Sequence, residues 1–173
     1  ALVALAPLFA ATALAVKAET KGPALFRQTR IGKNGERFSM LKFRSMHHDA
    51  EARQAEILKQ SDREGVCFKS QKDPRITRVG RFIRRASIDE LPQLINVLRG
   101  DMSVVGPRPA LPCEVAQYPT RAFGRLAVKP GITGIWQVSG RADIGFDKMV
   151  EMDLAYVSSR TMLLDFILIL MTF

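Results

Sequence analysis

From Ala1 to Val16 the chain carries no charge, and the first ionisable side chain is Lys17. As a helix rising about 1.5 Å per residue, this run would cover about 24 Å, short of a hydrocarbon core of about 30 Å. Pro7 interrupts it, and a proline removes a backbone hydrogen bond and bends a helix unless something nearby satisfies the freed carbonyl. Three readings fit: a truncated spanning helix, a re-entrant helix that turns back at Pro7, and a buried core helix. Beyond Lys17 the pattern changes to alternation. Pro23 to Arg30 and Arg37 to Arg44 predict two short strands around the turn residues Gly32-Lys33-Asn34-Gly35. In the second strand Lys42 and Arg44 would share one face. From His47 to Gln60 a charged, Ala-rich pattern predicts a surface helix, with His47 and His48 solvated near its start, since no third ligand is spaced to join them in a metal site.

A loop from Gly65 to Pro74 precedes a basic amphipathic stretch, in which Arg75, Arg78, Arg81 and Arg84 recur every third residue while Ile76, Val79, Phe82 and Ile83 fall largely on another face. No Asp or Glu occurs between Asp73 and Asp89, which leaves these arginines without local acidic partners and available to phosphates. Pro92 fits only a first helical turn, so a helix from Leu91 to Leu98 is expected to begin near Ser87 to Asp89. Asp89 and Glu90 then lie at a helix N-terminus. Ser87-x-x-Glu90 matches a capping box, although one starting at Ser87 would put Pro92 a position too deep. The helix end would also lower the pKa of a nearby carboxylate and keep it ionised near neutral pH. Adjacent helical residues point about 100 degrees apart, so the two carboxylates should divide their work rather than share a proton. One attacking phosphorus while the other holds Mg2+ or handles a proton, beside arginines that neutralise phosphoryl oxygens, is phosphoryl-transfer chemistry.

Composition narrows the partners. The 173 residues suit one domain, and 26 Lys and Arg against 17 Asp and Glu give a formal charge of +9, which favours anions. Nucleic acid ranks low, because aromatic residues are 8% of the chain and are not interleaved with the basic ones. Cys67 and Cys113 lie in no metal-ligand pattern and read as free thiols in a reducing compartment. Both ends fall inside apolar runs and read as cut from a longer protein. No basic segment precedes the first run and no cleavage site ends it, which argues against a secretory signal peptide. The last run, Met162 to Phe173, has Asp165 as its only charge and reads equally as a membrane-surface or a buried helix.

Two further stretches are Pro/Gly loops: Gly100 to Pro109, ending in Gly106-Pro107-Arg108-Pro109, and Lys129 to Arg141, beginning Lys129-Pro130-Gly131-Ile132-Thr133-Gly134. Neither is a Walker loop or a dinucleotide fingerprint. Taken in order with Lys42-Phe43-Arg44-Ser45-Met46, Ser87-Ile88-Asp89-Glu90-Leu91-Pro92-Gln93 and Gly100-Asp101-Met102-Ser103, they resemble the bacterial sugar transferase family, the monotopic phosphoglycosyl transferases. The resemblance covers nearly the whole chain. It implies transfer of a sugar-1-phosphate, with glucose or galactose the nearest analogy, from a UDP-sugar to polyprenyl (undecaprenyl) phosphate. UMP would be released at the cytoplasmic face of the bacterial inner membrane, in the first membrane step of exopolysaccharide-type glycan synthesis. It implies Asp89 as the nucleophile, Glu90 assisting, and Mg2+ as cofactor at Asp89 and Glu90. Lys42 and Arg84 would contact phosphate, and Pro107, Arg108 and Pro109 would bind the nucleotide sugar, with Lys129 and Arg141 also on the substrate side. It favours the re-entrant reading at Pro7, where the family usually has a preceding Ser and this chain has Ala6.

The expected fold is mixed α/β: a small, mainly helical globular domain with a short β-hairpin (residues 20–173) attached to a re-entrant membrane helix (residues 1–19). Expected partners are the UDP-sugar, polyprenyl phosphate and the lipid bilayer, with room for a homodimer and none for nucleic acid. The competing function is a non-catalytic membrane-associated module that binds phosphorylated ligands. Asp89 separates the two, because a binding module gains nothing from carboxylates beside its anion.

Overall fold

The computed structural model describes residues 2–50, 73–139 and 144–172. They form helix α1 (Leu2–Glu19), strands β1 (Leu25–Ile31) and β2 (Arg37–Phe43), helices α2 (Arg78–Arg85) and α3 (Gln93–Arg99), strand β3 (Ser103–Val105), helix α4 (Pro112–Val115), strand β4 (Gly131–Thr133), and helices α5 (Ile135–Ser139), α6 (Phe146–Ser159) and α7 (Met162–Thr172). The protein is mostly helical, with two two-stranded sheets, β1-β2 and β3-β4. The chain divides into two compact units, Ala1–Gln28 with Leu41–Leu94, and Thr29–Met40 with Ile95–Phe173.

In the first unit α1 packs Phe9, Ala13 and Val16 onto a core with Ala24, Phe43, Val79, Ile83 and Ile88, where Phe9 meets Phe43 edge-on at 5.4 Å. α1 carries no charge before Lys17, and Val3 and Leu14 are exposed. Pro7 sits inside this helix, which continues on both sides of it. Among the described residues no helix is long and apolar enough to cross a membrane.

The predicted hairpin is present, and its turn places Asn34 at φ 56. Arg44 lies just past β2 and is buried, donating to the carbonyls of Thr20 and Lys21 at 2.9 and 2.8 Å, so it ties down the chain leaving α1. His47 and His48 are exposed, and residues 48–50 form a turn. The rest of the expected 47–60 helix and most of the 65–74 loop, with Cys67, lie outside the described residues. Cys113 is a free, exposed thiol.

The basic helix begins three residues later than its arginine spacing suggests. Thr77 caps it, its hydroxyl accepting from Gly80 N at 2.8 Å, while the Glu19 carboxylate accepts from Arg78 N at 2.7 Å and Val79 N at 2.9 Å. Burial acts to raise the Glu19 pKa, but the hydrogen bonds from Thr77, Val79 and Arg78 outweigh it and hold the carboxyl below its ordinary value. Arg75 precedes the helix and corrects the expectation that these arginines lack partners: it forms a buried, forked pair with Asp73, with contacts of 2.6 and 2.9 Å. Gly80 is required where α2 crosses the 44–46 segment, since a Cβ there would run into the Ser45 carbonyl.

In the second unit β3 and β4 pair in parallel, Ser103 opposite Gly131 and Val105 opposite Thr133. A Cβ on Gly131 would strike Gly106 N, so both Pro/Gly loops depend on that close approach. Asn96 is fully buried and holds the Gly100-Asp101-Met102 turn, accepting from Asp101 N and Met102 N and donating to the Asp101 carboxylate at 3.0 Å and the Ser39 carbonyl at 2.8 Å. Two apolar clusters fill the unit, one around Ala110, Tyr118, Ala122 and Val150, the other around Val105, Tyr156 and Leu168. Beside the first, Arg125 forms a buried ion pair with Asp153 and donates to the Tyr118 hydroxyl at 2.7 Å. Helix α7 buries Leu168 against the second and exposes Met162, Leu163, Phe166 and Leu170, so it is neither wholly buried nor wholly outward-facing.

Two stability outcomes are expected. Asp153→Asn leaves the Arg125 cation buried without its counter-charge and should destabilise the second unit by about 3–5 kcal/mol, read as a lower denaturation midpoint. Gly80→Ala should cost about 1–3 kcal/mol by forcing α2 away from Ser45, and a midpoint equal to the parent protein's would show that α2 does not need this contact.

Candidate active site

The Asp89-Glu90 pair lies in a 3₁₀ turn, Ile88–Glu90, between α2 and α3. Ser87 enters it in the left-handed region at φ 54, with no side-chain capping bond. The capping-box reading is thereby excluded, and the helix expected to start near Ser87 starts at Gln93, directly after Pro92. The left-handed Ser87 reverses the chain sharply, Ile88 joins the core, and Asp89 is buried at 7% exposure.

Four groups of the first unit form the site. Asp89 is the buried member. Glu90 is half-buried and turned to Lys42 at the end of β2, with Nζ to Oε1 at 3.0 Å. Arg84, in the last turn of α2, donates through Nε to the Ser45 hydroxyl at 2.8 Å and makes no ion pair among the described residues. Ser45 fixes the guanidinium without neutralising it.

Desolvation and then the Glu90 charge push the Asp89 pKa up to about 6, with Lys42 and Arg84 opposing. This corrects the expectation of a lowered value. A three-residue 3₁₀ turn supplies little dipole, and burial beside a like charge dominates. Asp89 is still largely ionised at pH 7. The pair occupies two unlike environments, one dry and one bridged to lysine, which suits two carboxylates with different tasks.

Two hard oxygen donors, one carrying charge that its surroundings incompletely offset, fit a magnesium ion, which takes one or two carboxylates and completes its shell with substrate phosphates and water. Among the described residues no group of three or more His, Cys, Asp or Glu offers an all-protein cage.

The remaining expected residues, where described, belong to the second unit. Pro107 and Pro109 are buried and Arg108 between them is exposed. Two buried arginines hold this loop by its carbonyls: Arg30 donates to Pro109 O at 2.9 Å and Arg125 to Arg108 O at 3.4 Å. The Arg108 guanidinium carbon sits 6.0 Å from the centre of the Trp136 ring. Lys129 is exposed, and Arg141 lies outside the described residues.

The structure brings the expected Asp89, Glu90, Lys42 and Arg84 together and adds contacts that the sequence does not indicate, from Ser45 to Arg84 and from Arg30, Arg125 and Trp136 to the Pro107–Pro109 loop. Ser45 directly follows Arg44, the second cation of its own motif. No spacing signal relates Arg30 or Arg125 to a loop 79 or 17 residues away.

Comparison with known proteins bears on this arrangement. Residues 1–173 match the model of a family described as bacterial sugar transferase. The chain is 49% identical over 152 residues to the galactosyl transferase CpsE of Streptococcus agalactiae, covering 87% of this chain and 34% of that protein. It is 40% identical over 176 residues to the exopolysaccharide production protein ExoY of Sinorhizobium fredii, covering 99% and 78%. With the UDP-glucose:undecaprenyl-phosphate glucose-1-phosphate transferase of Caulobacter vibrioides it shares 49% identity over 138 residues, 78% of this chain and 48% of that one. It thus spans about a third of CpsE and most of ExoY. The match over its full length, and the dyad with its cations, place the chain in one family: it belongs to the bacterial sugar transferases.

Proposed function

We propose that this chain transfers a sugar-1-phosphate, of the hexose class, from a UDP-sugar to polyprenyl phosphate through a covalent aspartyl intermediate. The observation that carries the reading is the buried Asp89 carboxylate, in a different environment from the lysine-bridged Glu90 and near Arg84, which is hydrogen-bonded to Ser45 and makes no ion pair among the described residues. The names of the Caulobacter relative and of an undecaprenyl-phosphate galactose phosphotransferase from Salmonella typhimurium, 44% identical over 155 residues, support the substrate classes.

In the first half-reaction an ionised Asp89 oxygen attacks the β-phosphorus of the UDP-sugar. An Asp89 O–P bond forms, the P–O bond to the α-phosphate breaks, and UMP leaves with the electron pair. In the second, a phosphate oxygen of polyprenyl phosphate attacks the same phosphorus and the Asp89 O–P bond breaks, giving polyprenyl diphosphate sugar and restoring the carboxylate. One phosphoanhydride is exchanged for another, so no ATP is needed. Arg84 and Lys42 offset charge on the phosphoryl oxygens. Glu90 holds Lys42 in place and, with Asp89, would hold Mg2+, whose chemistry when bound is to neutralise phosphate charge. Arg108 and its flanking prolines are assigned to the nucleotide sugar. The uncharged run Leu2 to Val16 of α1 suits re-entrant insertion into one leaflet, with Pro7 the position at which the helix, continuous in this structure, would bend; this would keep the site at the cytoplasmic membrane surface.

Asp89→Asn should abolish UMP release, and the parent protein given UDP-sugar without polyprenyl phosphate should gain the mass of one hexose phosphate at Asp89. Arg78→Ala, on the exposed side of α2, should reduce turnover only weakly. Full turnover by Asp89→Asn would rule out the nucleophile. The pH dependence follows from the raised pKa. Asp89 must be ionised to attack, so kcat/KM should fall as pH drops through about 6. Lys42→Met removes a charge that lowers that pKa and should move the acid limb to higher pH; an unshifted limb would assign it to another group.

A further inference from the structure

The second unit contains a cavity of about 420 Å3 that the transfer steps above do not use, although one of its lining residues, Lys129, is among those the family resemblance puts on the substrate side. Its walls come from four separate parts of that unit: Lys33 in the hairpin turn, Ser103 of β3, Lys129 before β4, and Tyr156, Arg160 and Asp165 where α6 meets α7. Three cations therefore converge on one space with one carboxylate. Among the described residues none of Lys33, Lys129 and Arg160 forms an ion pair with any acidic group. The carboxylate is already engaged, since Asp165 accepts a 2.7 Å hydrogen bond from the Tyr156 hydroxyl, and burial followed by that bond pushes the Tyr156 pKa up, so the hydroxyl keeps its proton.

Three like charges gathered around a common volume with a single carboxylate leave an excess of positive charge there, and an anion entering that volume relieves the repulsion. The volume is that of a small-ligand site. Recognition would run mainly through the three cationic side chains, since of the first-turn amides of α7 Leu164 N already donates to the Thr161 hydroxyl at 3.1 Å. Two mobile ammonium groups and one guanidinium fork suit the tetrahedral oxygens of phosphate better than a single planar carboxylate.

We propose that this cavity is a phosphate-binding site, independent of the transfer reaction. Two sources carry that chemistry. One is a phospholipid headgroup, for which the exposed Met162, Leu163, Phe166 and Leu170 of α7 start at the cavity rim. The other is a soluble phosphate.

The test is native mass spectrometry of the full detergent-solubilised chain with short-chain phosphatidylglycerol in one arm and inorganic phosphate in the other. Parent protein should retain the bound species in at least one arm, and which arm does so identifies the source. Lys33→Gln combined with Arg160→Gln should weaken that retention by about tenfold or more, whereas Arg81→Gln with Arg85→Gln, on the exposed side of α2, should leave it unchanged. Circular dichroism checks that both double variants fold, and Lys129→Gln alone gives a third, milder reading of the same site. Retention by the cavity variants equal to the parent's, or no retained species in either arm, overturns the proposal.

Discussion

A carboxylate buried beside a second carboxylate raises the free energy of its own ionised form twice, by desolvation and by repulsion. Asp89 is in that position, and the order of elements in the first unit follows from making it tolerable. β2 must end where Lys42 reaches Glu90, and α2 must lie close enough for Arg84 to reach Ser45. The second condition requires Gly80, because any side chain there meets the Ser45 carbonyl. It also requires α2 to start at a fixed point, which Thr77 and Glu19 secure by occupying its free amides. Ser87 in the left-handed region carries a strain of about 1–3 kcal/mol, and in return the chain reverses within one residue and delivers Ile88 to the core with Asp89 next to it.

What could be read in the sequence is local. The hairpin showed because alternation and turn residues are properties of adjacent positions, and the dyad showed because its two members are adjacent. Pro92 located the start of α3 only within a few residues, since a proline states what cannot precede it but not whether an irregular 3₁₀ turn does. The direction of the Asp89 pKa is not legible for the same reason: a helix dipole can be inferred from neighbours in sequence, whereas burial depends on what packs from elsewhere. The β3-β4 pairing leaves no local signal, because each strand is three residues long and sits inside a stretch whose Pro and Gly content reads as loop.

The arginines show the same limit more sharply. A formal charge of +9 suggests many cations ready for anions, but the structure separates them by burial. Arg30, Arg44, Arg75 and Arg125 are each less than a tenth exposed and donate to internal acceptors: carbonyls, the Thr20 and Tyr118 hydroxyls, and the carboxylates of Asp73 and Asp153. They behave as internal fasteners. Arg78, Arg81, Arg84, Arg85 and Arg108 are exposed. In sequence Arg75 and Arg78 look equivalent, three residues apart on one stripe, yet one is a buried strut and the other faces solvent.

That division bears on the binding role proposed for the Pro107–Pro109 loop. Its carbonyls are gripped from within by Arg30 and Arg125, and its two prolines remove most of the backbone freedom that remains. The Arg108 side chain is then the mobile part, and the Trp136 face limits where its guanidinium can rest. A cation on a rigid backbone, partly restrained before a ligand arrives, loses less conformational entropy on binding than one on a free loop. In the nucleotide-sugar role proposed for this loop, the buried arginines would act without touching a ligand, by fixing the segment from which Arg108 extends.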